Sequence, residues 1–137
     1  MSRVDPQLNH ERLDVYWVSI DFVAWLHALV HELTGPARHA RDQALRASQS
    51  VPLNIAEGNS KRDSPERRRF FEIARGSMAE SAATLDVLVA IQAVESEAVA
   101  EGKALAKRVI EMLVKLAPPS RKPMTRTKTI TRVARGG

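Results

Sequence analysis

The sequence predicts an all-α protein, folded as an up-and-down antiparallel four-helix bundle. Nineteen alanines against six glycines among the 137 residues favour helix. Four segments of roughly twenty residues repeat apolar side chains at three- and four-residue spacing, and no segment alternates as a strand does. Because the connections between them are short, successive helices should run antiparallel. The predicted domains are a flexible N-terminal arm over 1–11, the bundle over 12–117 and a disordered basic tail over 118–137.

The first helix is expected from Leu13 to Leu33, where Thr34-Gly35-Pro36 ends it. Its apolar side chains cover more than one face and include four of the six aromatic residues of the chain. An apolar stripe wider than about 100° exceeds what one small core buries, so the surplus predicts a contact between subunits. The candidate interface residues are Tyr16, Trp17, Phe22 and Trp25.

The second helix is expected from Ala37 to Ala56 or Glu57, with Gly58-Asn59-Ser60 ending it. Pro52 lies inside this segment and removes one backbone hydrogen bond, at a cost of about 3 kcal/mol in an ordinary helix. The apolar spacing nevertheless continues through Ile55. We therefore predict a kink at the proline rather than a break.

The third helix has the clearest start, with Ser64 as N-cap, Pro65 in the first helical position and Glu66 complementing the helix dipole. Gly76 lies in its interior, where glycine costs about 1 kcal/mol, so a neighbour packed against it is expected. The fourth helix should begin near Ser96 and end at Pro118. The predicted inner face of the third helix consists of Phe70, Ala74, Ser77, Ser81, Leu85 and Leu88, with Phe71, Met78 and Val89 alongside.

The formal charge of +5 is unevenly divided along the chain. Residues 118–137 contain six basic residues and no acidic residue, which leaves 15 basic and 16 acidic residues in residues 1–117. A second, weaker basic patch lies around the start of the third helix. Basic segments of this kind bind polyanions, although a solubility appendage and a solvated helix end explain the same charges. The candidates for nucleic-acid contact are Lys61, Arg62, Arg67, Arg68, Arg121, Lys122, Arg126 and Lys128.

Polar residues interrupt the amphipathic pattern of the second and third helices. Asn54 is expected to point inward, with Glu57 three residues later on the same side. Ser77 and Glu80 have the same spacing on the third helix, so the two pairs should meet if the helices are antiparallel neighbours. A satisfied buried network fixes helix register, and a pocket for a ligand or partner is the alternative. The residues of this predicted network or pocket are Asn54, Glu57, Ser77, Glu80 and Arg46.

The same stretch carries a resemblance to a known family. Ser50-Val51-Pro52-x-Asn54-Ile55-Ala56-Glu57-Gly58, followed by Phe70-x-x-Ile73-Ala74-x-Gly76-Ser77-x-x-Glu80, resembles the bacterial four helix bundle protein family. The family was first described as proteins that are encoded in intervening sequences of large-subunit ribosomal RNA genes. The resemblance covers about Leu13 to Ile91 and implies a left-handed four-helix bundle that assembles as a homopentamer. It also implies a distant relation to the accessory protein of diversity-generating retroelements, which binds a reverse transcriptase and nucleic acid.

Several chemistries have no support in the sequence. The lack of cysteine excludes disulfides, thiolate metal sites and cysteine nucleophiles. His27 and His31 have the helical spacing that can share one metal, but no second helix offers further ligands, and a solvated or interface pair is the preferred interpretation. Glycine-rich phosphate loops and serine-nucleophile motifs are missing, so we predict no catalytic site and no cofactor.

Two functions follow from these patterns. The preferred one is a non-enzymatic, oligomeric bundle that binds RNA or DNA through backbone phosphates. The alternative is a protein–protein assembly or adaptor module with no role on nucleic acid. No apolar run approaches the roughly 18 residues of a membrane span and no signal peptide opens the chain, so the cytoplasm is the expected location.

Overall fold

A computed structural model describes residues 8–62 and 64–118, and within these ranges all regular secondary structure is helical. Each helix packs against the helices before and after it in the chain, and the first also packs against the last. This ring of neighbours confirms the predicted four-helix bundle. The helices are α1 (Asp14–Val30), α2 (Arg38–Asn59), α3 (Pro65–Ala90) and α4 (Ala100–Leu116), with 3-10 turns at Asn9–Arg12, Gly35–Ala37 and Ser96–Val99.

One hydrophobic core runs along the axis of the bundle and draws on all four helices. Burial of each large aliphatic or aromatic side chain contributes about 1.5–3 kcal/mol. On α3 the buried face is rotated slightly from the prediction, since Phe71 and Met78 are buried whereas Phe70 and Ser77 are half-buried. The largest fully buried side chains include Phe22, Leu26, Ile55, Phe71, Met78, Leu85, Leu88 and Leu113.

The second helix continues through Pro52, as predicted, but it ends later than expected. Gly58 was expected to terminate α2 and instead lies inside its last turn, buried against α3. A Cβ built at Gly58 would lie 2.9 Å from two ring carbons of Phe71. The glycine therefore serves close packing of α2 on α3, which a sequence pattern does not distinguish from helix termination.

Residues 8–11 of the predicted N-terminal arm lie within the described part of the chain. Asn9–Arg12 form a 3-10 turn. The indole Nε1 of Trp17 donates a hydrogen bond to the carbonyl oxygen of Glu11 at 2.9 Å, which ties this turn to α1. Residues 1–7 lie outside the described part of the chain.

The predicted subunit interface on α1 is wrong for one of its four residues, Phe22, and stays a prediction for the others. Phe22 is completely buried in the core, so its side chain is unavailable to a partner. Trp25 lies against α4, where a Cβ at Gly102 would approach its ring to 2.1 Å. Tyr16 packs edge-on against both His10 and Trp17. The large hydrophobic side chains that remain exposed among the described residues are Leu8, Leu53, Ile73, Val87, Ile91 and Leu116, none of which lies on α1.

Candidate nucleic-acid interface

Five cations surround the connection between α2 and α3, and we call Lys61, Arg62, Arg67, Arg68 and Arg69 the basic turn. The predicted N-cap places them, because the Ser64 Oγ accepts a hydrogen bond from the Arg67 backbone nitrogen at 3.3 Å. The N-terminus of a helix carries a partial positive charge, which adds to the potential of these side chains.

Two phenylalanine rings hold three of these cations in place. The Lys61 Nζ lies 5.7 Å from the centre of the Phe70 ring, and the Arg69 Cζ lies 5.9 Å from it. The Arg67 Cζ lies 4.7 Å from the centre of the Phe71 ring. Cation–π contacts of this kind contribute about 0.5–1 kcal/mol at exposed sites. The rings therefore orient the cations.

Further bonds within the chain restrain two of the same side chains. The Lys61 Nζ lies 3.3 Å from a carboxylate oxygen of Glu57, and an Arg67 guanidinium nitrogen donates to Asn59 Oδ1 at 3.2 Å. Arg62 and Arg69 are exposed. These two guanidinium groups are the most accessible to an anion in solution.

Arg68 connects the basic turn to the end of α4. Its guanidinium Nη1 donates a hydrogen bond to the carbonyl oxygen of Pro118. Pro118 is the last described residue, so the chain enters residues 119–137 beside the basic turn. The predicted contacts Arg121, Lys122, Arg126 and Lys128 lie outside the described residues.

An open depression of about 440 Å³ lies at the start of α3. The lining residues include Ser64 and Pro65 at the cap, and the side chains of Arg68 and Arg69. Glu72 also lines it, and this carboxylate offsets part of the positive charge. The depression is shallow, which suits a phosphodiester backbone lying across it better than an enclosed small molecule.

The structure brings two residues of the predicted polar network together and leaves the other three apart from them. Ser77 Oγ lies 2.9 Å from Ser50 Oγ, and Asn54 Nδ2 donates to both the Oγ and the carbonyl oxygen of Ser50, at 2.9 and 2.8 Å. Ser50 is thus the link that the sequence analysis missed, although its spacing of four residues from Asn54 is a recognisable signal. Arg46, Glu57 and Glu80 are exposed and outside this network.

This polar contact joins the two halves of the motif quoted above, one on α2 and the other on α3. The model of the family described as 23S rRNA-intervening sequence protein matches residues 11–115 of the chain. The chain belongs to this family. No curated protein matches it.

The family match covers the helical bundle and does not extend into the basic segment that follows it. The family model matches the chain as far as residue 115. The six basic residues beyond Pro118 therefore lie outside the matched range. The basic turn lies within the matched part.

The histidine pair of this intervening-sequence protein is a surface feature. His27 and His31 are both exposed, and their rings stack with centres 5.0 Å apart. Within residues 8–62 and 64–118, no three histidine, aspartate or glutamate side chains are grouped as metal ligands would be. In the same ranges, no helix combines the length and the apolar character needed to cross a bilayer.

Proposed function

We propose that this intervening-sequence protein is a non-enzymatic cytoplasmic module that binds RNA or DNA through phosphates at one end of its bundle. The single observation that carries the proposal is the hydrogen bond from Arg68 to Pro118. This bond supports the placement of the basic turn beside Pro118, where a segment with six basic residues and no acidic residue begins. Such a concentration of like charge is stabilised by a polyanion.

The two phenylalanine rings of the basic turn favour backbone contact over base reading. Proteins that bind single strands stack bases on exposed aromatic rings. Here Phe71 is buried, and the half-buried Phe70 has two cations over its ring. The proposed binding is therefore to phosphates, with little dependence on base sequence.

A pair of matched double variants tests this proposal. We expect Arg62→Ala with Arg69→Ala to weaken binding of a labelled duplex by about tenfold, measured by fluorescence anisotropy at low salt, because two phosphate contacts are lost. Arg38→Ala with Lys107→Ala removes the same charge from exposed positions outside the basic turn and should leave the affinity within about twofold. Equal losses in both double variants would contradict a defined phosphate-binding end.

A second candidate function is protein–protein assembly without nucleic acid. It is favoured by large exposed side chains on α2, on α3 and just after α3, namely Leu53, Ile73, Val87 and Ile91. The family resemblance implies a homopentamer, for which sedimentation equilibrium is the direct test. Self-association together with no binding of RNA or DNA at low salt would favour this function over the first.

A further inference from the structure

A carboxylate lies within the cationic depression at the start of α3. Glu72 lines this depression together with Arg68 and Arg69. Glu72 follows Arg68 by four residues and precedes Arg75 by three, so these three residues share one stripe of the helix. Their positions are separated along the helix axis by about 6 Å and about 4.5 Å. The stripe therefore alternates in charge, with the anion between two cations.

The cations beside Glu72 are turned toward other partners. Spacings of three and four residues on a helix allow a carboxylate and a guanidinium group to pair. Arg68 instead donates a hydrogen bond to the carbonyl oxygen of Pro118, and the Arg69 Cζ lies 5.9 Å from the centre of the Phe70 ring. In the part of the chain that the structure describes, the Glu72 carboxylate forms no ion pair. Its negative charge is therefore not compensated by a direct partner there.

This carboxylate opposes the binding of any phosphate that comes close to it. Two like unit charges about 7 Å apart in water repel each other with an energy equivalent to about a threefold loss of affinity. A phosphate beside Arg69 is able to lie toward the α2–α3 connection, away from Glu72. A backbone that followed the stripe from Arg68 to Arg75 would have to pass the carboxylate itself. The charge of Glu72 therefore separates Arg75 from the rest of the cations.

Positive charge does not continue along α3 beyond Arg75. From residue 76 to residue 90 the helix contains two charged side chains, Glu80 and Asp86, and both are acidic. In the opposite direction lie the basic turn and Pro118, which precedes six basic residues. A polyanion is therefore attracted across the end of the bundle and repelled from the side of α3.

We propose that Glu72 marks the edge of the phosphate-binding surface, so that a bound duplex crosses the end of the bundle and does not extend along α3 to Arg75. The edge has meaning only if this end binds phosphates, so it rests on the proposed function. Glu72 acts by its charge, since an ionised carboxylate has no hydrogen-bond donor to offer a phosphate. Arg75 is left outside the site although its side chain is exposed.

Removal of this charge should open the path to Arg75. We expect Glu72→Gln in the full chain to strengthen binding of a labelled duplex by about tenfold in fluorescence anisotropy, because a repulsion is lost and a phosphate contact is gained. The extra contact should also steepen the slope of log affinity against log salt concentration by about 0.9. Glu66→Gln removes the same charge from an exposed position of α3 that does not line the depression. This control should leave the affinity within about twofold.

Arg75 should affect binding only when residue 72 is neutral. We expect Arg75→Ala to change the duplex affinity of the wild type by less than about twofold and that of the Glu72→Gln variant by about threefold or more. If the wild type binds but Glu72→Gln is no tighter than Glu66→Gln, the edge is wrong and the binding function stands. Equal losses from Arg75→Ala in both backgrounds would overturn the edge in the same way. No binding by the wild type at low salt would instead refute the proposed function, and the edge with it.

Site-directed cross-linking locates the duplex without changing a charge. Because the chain has no cysteine, Ser60→Cys and Gly76→Cys each introduce one thiol, the first beside the basic turn and the second one turn beyond Glu72. A Cβ at Gly76 meets nothing within 4 Å, contrary to the neighbour expected from the sequence, so this variant should fold normally. With a photo-cross-linker on the thiol, we expect duplex adducts from Ser60→Cys and few from Gly76→Cys, with more from Gly76→Cys once Glu72→Gln is added. Equal yields from the two thiols with Glu72 in place would overturn the proposed edge.

Discussion

The guanidinium of Arg68 donates a hydrogen bond to the carbonyl oxygen of Pro118, which connects the first turn of α3 to the chain beyond α4. The two residues are fifty positions apart in sequence. Four antiparallel helices place the α2–α3 connection and the C-terminus of α4 at the same end of the bundle, and this bond fixes their contact there.

Loss of this bond should weaken the packing of α4 on α3. We expect Arg68→Ala to lower the free energy of unfolding by about 1 kcal/mol, since the side chain is half-buried and its acceptor is a backbone carbonyl. Urea denaturation followed by circular dichroism measures the change. Arg62→Ala removes the same charge from an exposed neighbour and should stay within about 0.5 kcal/mol of the wild type. Equal effects of the two variants would contradict a structural role for Arg68.

Two glycines on successive helices should respond oppositely to alanine. We expect Gly58→Ala to destabilise the protein by about 1–3 kcal/mol, because its Cβ would lie 2.9 Å from the Phe71 ring. Gly76→Ala meets no atom within 4 Å of its own chain and should stabilise the helix by about 1 kcal/mol. Both are measured by urea denaturation followed by circular dichroism. Destabilisation by Gly76→Ala would show that its surroundings are not open.

The link between Ser50 and Asn54 should stabilise the α2–α3 contact without being needed for helix formation. Asn54→Leu removes two hydrogen bonds to Ser50, and we expect a loss of about 1 kcal/mol with unchanged helicity. Ser77→Ala removes the bond across the helices, so a double-mutant cycle with Asn54→Leu should give a coupling free energy above about 0.5 kcal/mol. Strict additivity would mean that the three side chains do not act as one network.

Trp25 offers a spectroscopic test of the α1–α4 contact. A Cβ at Gly102 would overlap its ring, so Gly102→Ala should displace the indole toward solvent and shift its fluorescence to longer wavelength. Emission spectra of the wild type and the variant, each in a Trp17→Phe background, measure this change. An unshifted spectrum would indicate that the ring does not depend on the glycine for its position.

Local signals in the sequence were sufficient for the fold. The Ser64 cap and the repeated apolar spacing identify helices whatever their neighbours are, and the structure confirms the cap by its hydrogen bond to Arg67. Amphipathic spacing does not specify which neighbour covers a face. The spacing therefore predicts a partner subunit against Phe22, although this side chain is buried in the core.

The candidate site was predictable only in part. The cations of the basic turn are evident in the sequence, but their bonds to Asn59, Phe70 and Phe71 depend on how α2 and α3 pack. Gly58 illustrates the same limit, because a glycine at a helix end and a glycine beneath an aromatic ring have identical local patterns. Three-dimensional proximity of Arg68 to Pro118 required both the topology and the side-chain conformation.

The salt dependence of duplex binding tests the central claim most directly. Each phosphate neutralised on duplex DNA adds about −0.9 to the slope of log affinity against log salt concentration. The six basic residues of the terminal segment therefore contribute about −5. We expect anisotropy titrations at several salt concentrations to give a slope steeper by that amount for the full chain than for residues 1–117, with residual binding by the basic turn. No binding by the full chain at low salt, or equal slopes for the two proteins, would contradict a phosphate-binding end.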